Sequence, residues 1–153
     1  MAWLEHRIPP PIVGALTGLA MWGAAPLGPG WVWPDALRLG LVAMLVALGL
    51  AFDVAGLLAF RASRTTVNPL SPQKASALVT GGVYRVTRNP MYVGMLCLLL
   101  AWAVKLSAWL PLAGPALFVL YITRFQIQPE ERVLHQLFGD AYGQYTSRVR
   151  RWL

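Results

Sequence analysis

The sequence predicts an all-α integral membrane protein: a bundle of about four transmembrane helices plus a C-terminal helix on the cytoplasmic side. Three observations lead there. Hydrophobic residues make up 57% of the 153-residue chain and charged residues only 12%, against about 25% charge in a typical soluble domain. Mean hydropathy is +0.54, and four apolar segments stand out, at 12–27, 39–60, 91–104 and 107–123. The basic residues between them are uneven. Arg61, Arg64, Lys74, Arg85 and Arg88 fall in the middle connection and Arg124, Arg132, Arg148, Arg150 and Arg151 in the tail, whereas the outer connections hold only Arg38 and Lys105. Positive residues collect in cytoplasmic loops, so both termini and the middle loop are placed in the cytoplasm. The net charge of +7 then marks topology and attraction to anionic headgroups. It is not a nucleic-acid footprint.

The length suits one domain, 1–153, with two N-terminal spans over 1–60 and a motif-bearing core over 61–153. The single cysteine, Cys97, lies in an apolar run far from any Cys/His cluster, so neither an internal disulfide nor a metal site is expected. Glu5 and Pro9 to Pro11 interrupt the start of the first segment, which is expected to be retained and not cleaved as a signal peptide.

The first segment is rich in Gly and Ala, which suits close helix packing. Trp31 and Trp33 follow in a turn at the membrane boundary, and Asp35 after Pro34 is expected to cap the next helix. The second segment is the only comfortable span, 22 residues from Leu39 to Phe60, against the ~20 needed to cross a bilayer. Its one charge is Asp53. An intramembrane acid suggests function, but pairing with Arg61 or Arg64 accounts for it equally well. In the middle loop, Ser71 and Pro72 predict a short helix through Ala77. Gly81-Gly82 forces a turn, and Asn89-Pro90 repeats the cap-then-proline pattern. The third segment, at 14 residues, is short for a span, and only Lys105-Leu106 separates it from the fourth. Trp102 and Trp109 flank that hairpin as an interfacial belt. Pro129-Glu130-Glu131 is read as the start of a last amphipathic helix, with Tyr142 and Tyr145 as interfacial anchors and Gly139 ending a helical stretch.

Each of the polar residues at this edge has an ordinary structural explanation: Asn caps, Pro initiates, and acids favour a helix N-terminus. Their gathering on one membrane face points instead to a site for a charged small molecule. The run Leu78-Val79-Thr80-Gly81-Gly82-Val83-Tyr84, then Arg88-Asn89-Pro90-Met91-Tyr92-Val93-Gly94, then Glu130-Glu131, Leu134, Phe138-Gly139, Tyr142, Tyr145 and Arg148 resembles the isoprenylcysteine carboxyl methyltransferase family and its phospholipid methyltransferase relatives. The resemblance covers 68–150.

That resemblance implies S-adenosyl-L-methionine as cofactor and a lipophilic, lipid or lipidated acceptor. Cofactor contacts are implied at Ser76, Ala77, Leu78, Val79, Tyr84, Asn89, Pro90, Met91, Tyr92 and Glu130. The eukaryotic members commonly carry His at the position of Asn89 and His-Thr at Ser76-Ala77. Their substrate-contacting arginine aligns with Gln126, and Arg124 is its nearest replacement. Asparagine donates and accepts but does not titrate.

Methyl transfer from a sulfonium needs donor and acceptor held about 3–3.5 Å apart and shielded from water. Glu130 suits the cofactor's hydroxyl or amino groups, and Tyr84 and Tyr92 its adenine or its cation. Arg88 and Arg85 are placed to hold an anionic acceptor or headgroup. A carboxylate or thiolate acceptor needs no base, whereas an amine would lose its proton to Glu131 or Asp53. Arg88 and Glu131 are therefore the expected catalytic pair, with Gln126, Arg124 and Arg85 on the substrate side. A membrane sterol-reductase-like oxidoreductase and a non-catalytic helical scaffold are the alternatives.

Overall fold

The computed structural model describes residues 5, 7–63 and 77–153. The expected helix from Ser71, the residue Ser76 and the expected Asp53 partner Arg64 lie outside them. Among the described residues the regular structure is all helical, apart from one isolated bridge between Gly30 and Ala108. The helices are α1 (Pro10–Ala24), α2 (Asp35–Ala62), α3 (Pro90–Leu106), α4 (Ala113–Ile122) and α5 (Gln128–Arg148). Three helical runs, Pro10–Leu27, Asp35–Ala62 and Leu110–Arg148, are long and apolar enough to cross a membrane, and α3 is a shorter apolar helix beside them. The all-α membrane bundle is as the sequence predicts.

Several boundaries move. α3 runs for 17 residues, or about 25 Å at ~1.5 Å per residue, because Pro90 serves as its first residue and Lys105-Leu106 extend its far end. Ser107, in the left-handed region at φ 50°, then reverses the chain. Asp35 does not cap α2. It is the first helical residue and pairs with Arg38 at 2.6 Å.

The last helix begins as expected, with Pro129 in the first turn of α5, but no loop separates it from α4, and the helical run continues from Leu110 to a break at Gly139. Pro129 has no N–H to donate to the carbonyl of residue 125, and its ring would collide with that carbonyl in a regular α-helix. The backbone relieves this through a π-turn, Thr123–Ile127, closed by the Gln128 N–H donating to the Thr123 carbonyl. At about 1.5 Å per residue, even the part of this run before Gly139 is longer than the ~30 Å hydrocarbon core. Gly139 (φ 49°, ψ −124°) breaks the helix there and turns its end back onto the bundle. Tyr142 and Tyr145 are consequently core residues, packed with Val79, Tyr84 and Val149, and not interfacial anchors.

Helix packing relies on small residues. α2 and α3 cross where Gly49 meets Gly94: a β-carbon on Gly49 would stand 2.9 Å from the Gly94 carbonyl oxygen, and one on Gly94 would strike Asp53. Asp53 makes no ion pair among the described residues. Its Oδ1 is buried against α3 without a hydrogen-bond partner, and Arg61 is exposed. α1 packs on α3 and α4, with Gly114 covered by Met21 and Trp102 Nε1 donating to the Gly18 carbonyl at 3.0 Å.

The two ends of the bundle differ. At one end the turns 28–34 and 107–109 are joined by the Trp31 N–H to Ser107 carbonyl bond and by edge-on contact of Trp31 with Trp109. At the other end lie the C-terminus of α2, the N-terminus of α3, the π-turn and the chain's tail. The N-terminal segment reaches this same end, where Glu5 pairs with Arg124 at 3.0 Å and with Arg132.

Candidate active site

Residues 87–89 lead into α3 and are laced to the tail. Gly82, at φ +59°, allows the tight 3-10 turn Gly82–Arg85 that delivers them. Tyr84 in that turn is buried against Phe60, ring centroids 5.5 Å apart, and its carbonyl accepts the Tyr145 hydroxyl at 2.8 Å. Burial pushes the Tyr84 hydroxyl far above its usual titration range, so it stays a neutral donor. Thr87 is fully buried. Its hydroxyl donates to the Arg151 carbonyl and accepts the Asn89 N–H, both at 3.2 Å. The Arg88 N–H donates to the Arg150 carbonyl at 3.0 Å.

Asn89 occupies the N-cap position of α3, but its side chain makes no capping bond. It donates instead to the Arg151 carbonyl at 2.8 Å. The first turn is satisfied otherwise: Pro90 has no N–H, and those of Tyr92 and Val93 both reach the Asn89 carbonyl at 3.0 Å.

The π-turn and the first turn of α5 supply the opposite wall. The wider turn seats Gln126 in the interior, where it is 3% exposed, and its Nε2 donates to Glu130 Oε1 at 2.6 Å. The Tyr92 hydroxyl donates to the same oxygen at 2.8 Å. Both of these bonds go to Oε1 of Glu130. Next along, Glu131 receives Arg88 at 2.9 Å and Arg151 through two nitrogens, at 2.9 and 2.7 Å.

The two motif blocks thus touch at two points, Tyr92 with Glu130 and Arg88 with Glu131. Pro90 and Met91 pack against α2 at Gly56. Val79 is buried, while Ala77 and Leu78 are half-buried, with Leu78 against the Tyr84–Tyr145 cluster. Arg85 is exposed on the 3-10 turn. Arg124 turns the other way, to Glu5, at the mouth of an apolar cleft of about 630 Å³ between α1 and α4. Of the expected substrate-side residues, only Gln126 faces Glu130.

Arg151 was missed, because a basic tail fits a purely topological account. The available signal was its neighbours: Val149 and Trp152 are apolar. In the structure Val149 is buried and Trp152 Nε1 donates to Thr123 at 3.2 Å, docking the tail.

Known proteins resemble this chain in sequence. Residues 37–141 match the model of the phospholipid methyltransferase family. An uncharacterised protein of Haemophilus influenzae is 46% identical over 63 residues, 41% of this chain and all of that one. A probable protein-S-isoprenylcysteine O-methyltransferase of Oryza sativa subsp. indica is 41% identical over 81 residues, 50% of this chain and 40% of its own. Protein-S-isoprenylcysteine O-methyltransferase A of Arabidopsis thaliana is 32% identical over 111 residues, 69% of this chain. The chain spans 40% and 54% of the length of those two plant relatives. No solved structure matches it. The family match takes in α2 through most of α5, including both walls of the site, and the chain belongs to the phospholipid methyltransferase family.

Proposed function

We propose that this protein transfers a methyl group from S-adenosylmethionine to a lipophilic or membrane-associated acceptor at the cytoplasmic face. The observation that carries the reading is the contact of Tyr92 with Glu130. It joins the two motif blocks at the charged end of an apolar bundle. Family membership and the names of the plant relatives support it. The excess of Arg and Lys at that end supports a cytoplasmic orientation.

The residues fit such a cofactor. Glu130 holds Oε1 with two donors and offers Oε2 to a hydroxyl or ammonium. Tyr84, Leu78 and Val79 form an apolar, aromatic wall suited to a purine. When bound, S-adenosylmethionine supplies a methyl group on a positively charged sulfur, and the departing thioether is neutral. The protein therefore needs no acid for the leaving group. Its residues bind, orient and exclude water, the positioning that dominates such a displacement. Tyr92 and Gln126 fix the Glu130 carboxylate, and the docked tail shields Arg88 and Glu131 from solvent. Arg88 is placed to hold an anionic group, such as an acidic acceptor. An amine acceptor would place its proton on Glu131, at the cost of that residue's ion pairs, so the arrangement favours an acid, whose carboxylate is already nucleophilic.

The test is binding of S-adenosylhomocysteine to the purified full chain in detergent, paired with incubation of membranes with methyl-labelled cofactor. Saturable binding and label in an extractable lipid or lipidated species are expected. Binding of a nicotinamide dinucleotide in its place would assign the protein to reductase chemistry. Binding of neither would leave a scaffold.

A further inference from the structure

Arg88, Glu131 and Arg151 form a cluster of two cations and one anion. Arg151 takes both carboxylate oxygens, Nε to Oε1 at 2.9 Å and a terminal nitrogen to Oε2 at 2.7 Å, the forked geometry that best satisfies a carboxylate. Arg88 reaches only Oε1, through one terminal nitrogen at 2.9 Å. Its side chain is 14% exposed, and its Nε is buried without a hydrogen-bond partner among the described residues. A buried guanidinium donor left unpaired is costly, and native interiors seldom leave one so. The neighbouring carboxylate, Glu130, is engaged by Tyr92 and Gln126. The other titratable groups facing the cluster, Tyr142 and Tyr145, carry no negative charge at neutral pH. The hydrogen-bonding capacity left over in the cluster sits on Arg88.

We infer that Arg88 anchors a subsite for a single oxyanion, and that Arg151 is the positioning residue that keeps it open by claiming Glu131 for itself. The ligand group is a carboxylate or phosphate-type oxygen. The inference rests on the methyltransferase reading for the source of that group, either the amino-acid carboxylate of the cofactor or an acidic acceptor. Without Arg151, Glu131 would pair fully with Arg88 and occupy those donors. Removing Glu131 as well should release them again. Loss of a merely structural tail contact would not be repaired by a second loss.

The test uses the full chain in detergent as wild type, Arg151→Gln, Arg88→Gln and the double variant Glu131→Gln/Arg151→Gln. Thermal stability is compared in inorganic phosphate and in chloride at equal ionic strength. Stabilisation by phosphate is expected in wild type and in the double variant, and should be lost in Arg151→Gln and Arg88→Gln. Binding of S-adenosylhomocysteine and of 5′-methylthioadenosine, which lacks the amino-acid part, then locates the source. A tenfold or greater loss in Arg151→Gln for the first nucleoside alone, regained in the double variant, assigns the anion to the cofactor. Unchanged binding, with a similar loss and recovery of label transfer to lipid extract, assigns it to the acceptor. A phosphate response that survives Arg88→Gln, or is absent from wild type, overturns the subsite. A double variant as impaired as Arg151→Gln overturns the role of Arg151. Should wild type bind neither nucleoside while the phosphate pattern holds, the methyltransferase reading falls and the anion subsite stands.

Discussion

The hydroxyl of Tyr92, in the first turn of α3, donates to Glu130 Oε1 at 2.8 Å across 38 positions of sequence. Gln126 reaches the same oxygen from one turn earlier in its own helical run. The carboxylate is thereby fixed from both walls of the site. Its orientation depends on a tyrosine at the mouth of one helix and on a π-turn forced by a proline in another.

Tyr92→Phe keeps the ring and removes only the hydroxyl. A hydrogen bond to a charged group contributes about 1.5–3 kcal/mol, and ~1.4 kcal/mol is tenfold in affinity. S-adenosylhomocysteine affinity is expected to fall about tenfold, with folded yield in detergent nearly unchanged. Calorimetric titration measures the first and size-exclusion chromatography the second. Equal affinity in the variant would remove Glu130 from the cofactor site.

Gly94→Ala tests the crossing that places Tyr92. An added methyl would meet Asp53 and stand 2.8 Å from the Gly49 carbonyl oxygen. Overpacking of this kind costs about 1–3 kcal/mol, so a lowered melting temperature in detergent is expected. Asp53→Ala in the same chain should recover part of the loss, because it clears one of the two obstructions. No recovery would mean that the Gly49 backbone alone sets the limit.

The residues explain why some of this was legible from sequence and some was not. The spans were readable because hydropathy is summed over many positions, so α2 survives an error of a few residues at either end. The site was readable as two motif blocks, since their polar residues interrupt apolar runs. The join between α4 and α5 was not. Pro129 normally signals a helix start, and whether the chain begins afresh there or bulges past it depends on packing around Gln126. Asn89 misled for a similar reason, since capping is a local preference that a carbonyl supplied by Arg151 outcompetes. Tyr142 and Tyr145 have the composition of an interfacial belt, and only the reversal at Gly139 turns them inward.

The N-terminal tether has a definite pH dependence. Glu5 lies outside the spans, and hydrogen bonding to Arg124, aided by Arg132, holds its carboxyl below the ordinary glutamate value of 4.5. A depressed carboxyl value means that the tether's contribution is fully present above the unfolded value and is lost as pH falls through the folded one. Release of the segment before α1 is therefore expected only in acid, below about pH 4.5. Limited proteolysis across pH 3 to 7 reads it directly. Glu5→Gln should cleave at every pH as the wild type does in acid.

Gly139 permits the last prediction. Its φ of 49° and ψ of −124° lie outside the left-handed helical well that asparagine tolerates, in a region essentially reserved for glycine. No neighbouring atom lies within 4 Å of where a β-carbon would stand, so the penalty of a substitution is conformational and not steric crowding. Gly139→Ala and Gly139→Asn should destabilise alike, by about 1–3 kcal/mol, and asparagine should bring no relief. The expected failure is local. The helix would tend to run straight past 139 and draw Tyr145 off the Tyr84 carbonyl, so amide exchange should rise over 140–149 and 82–88 while α1 and α2 keep their protection. Uniform loss of protection across the bundle would show instead that this reversal holds the whole fold together.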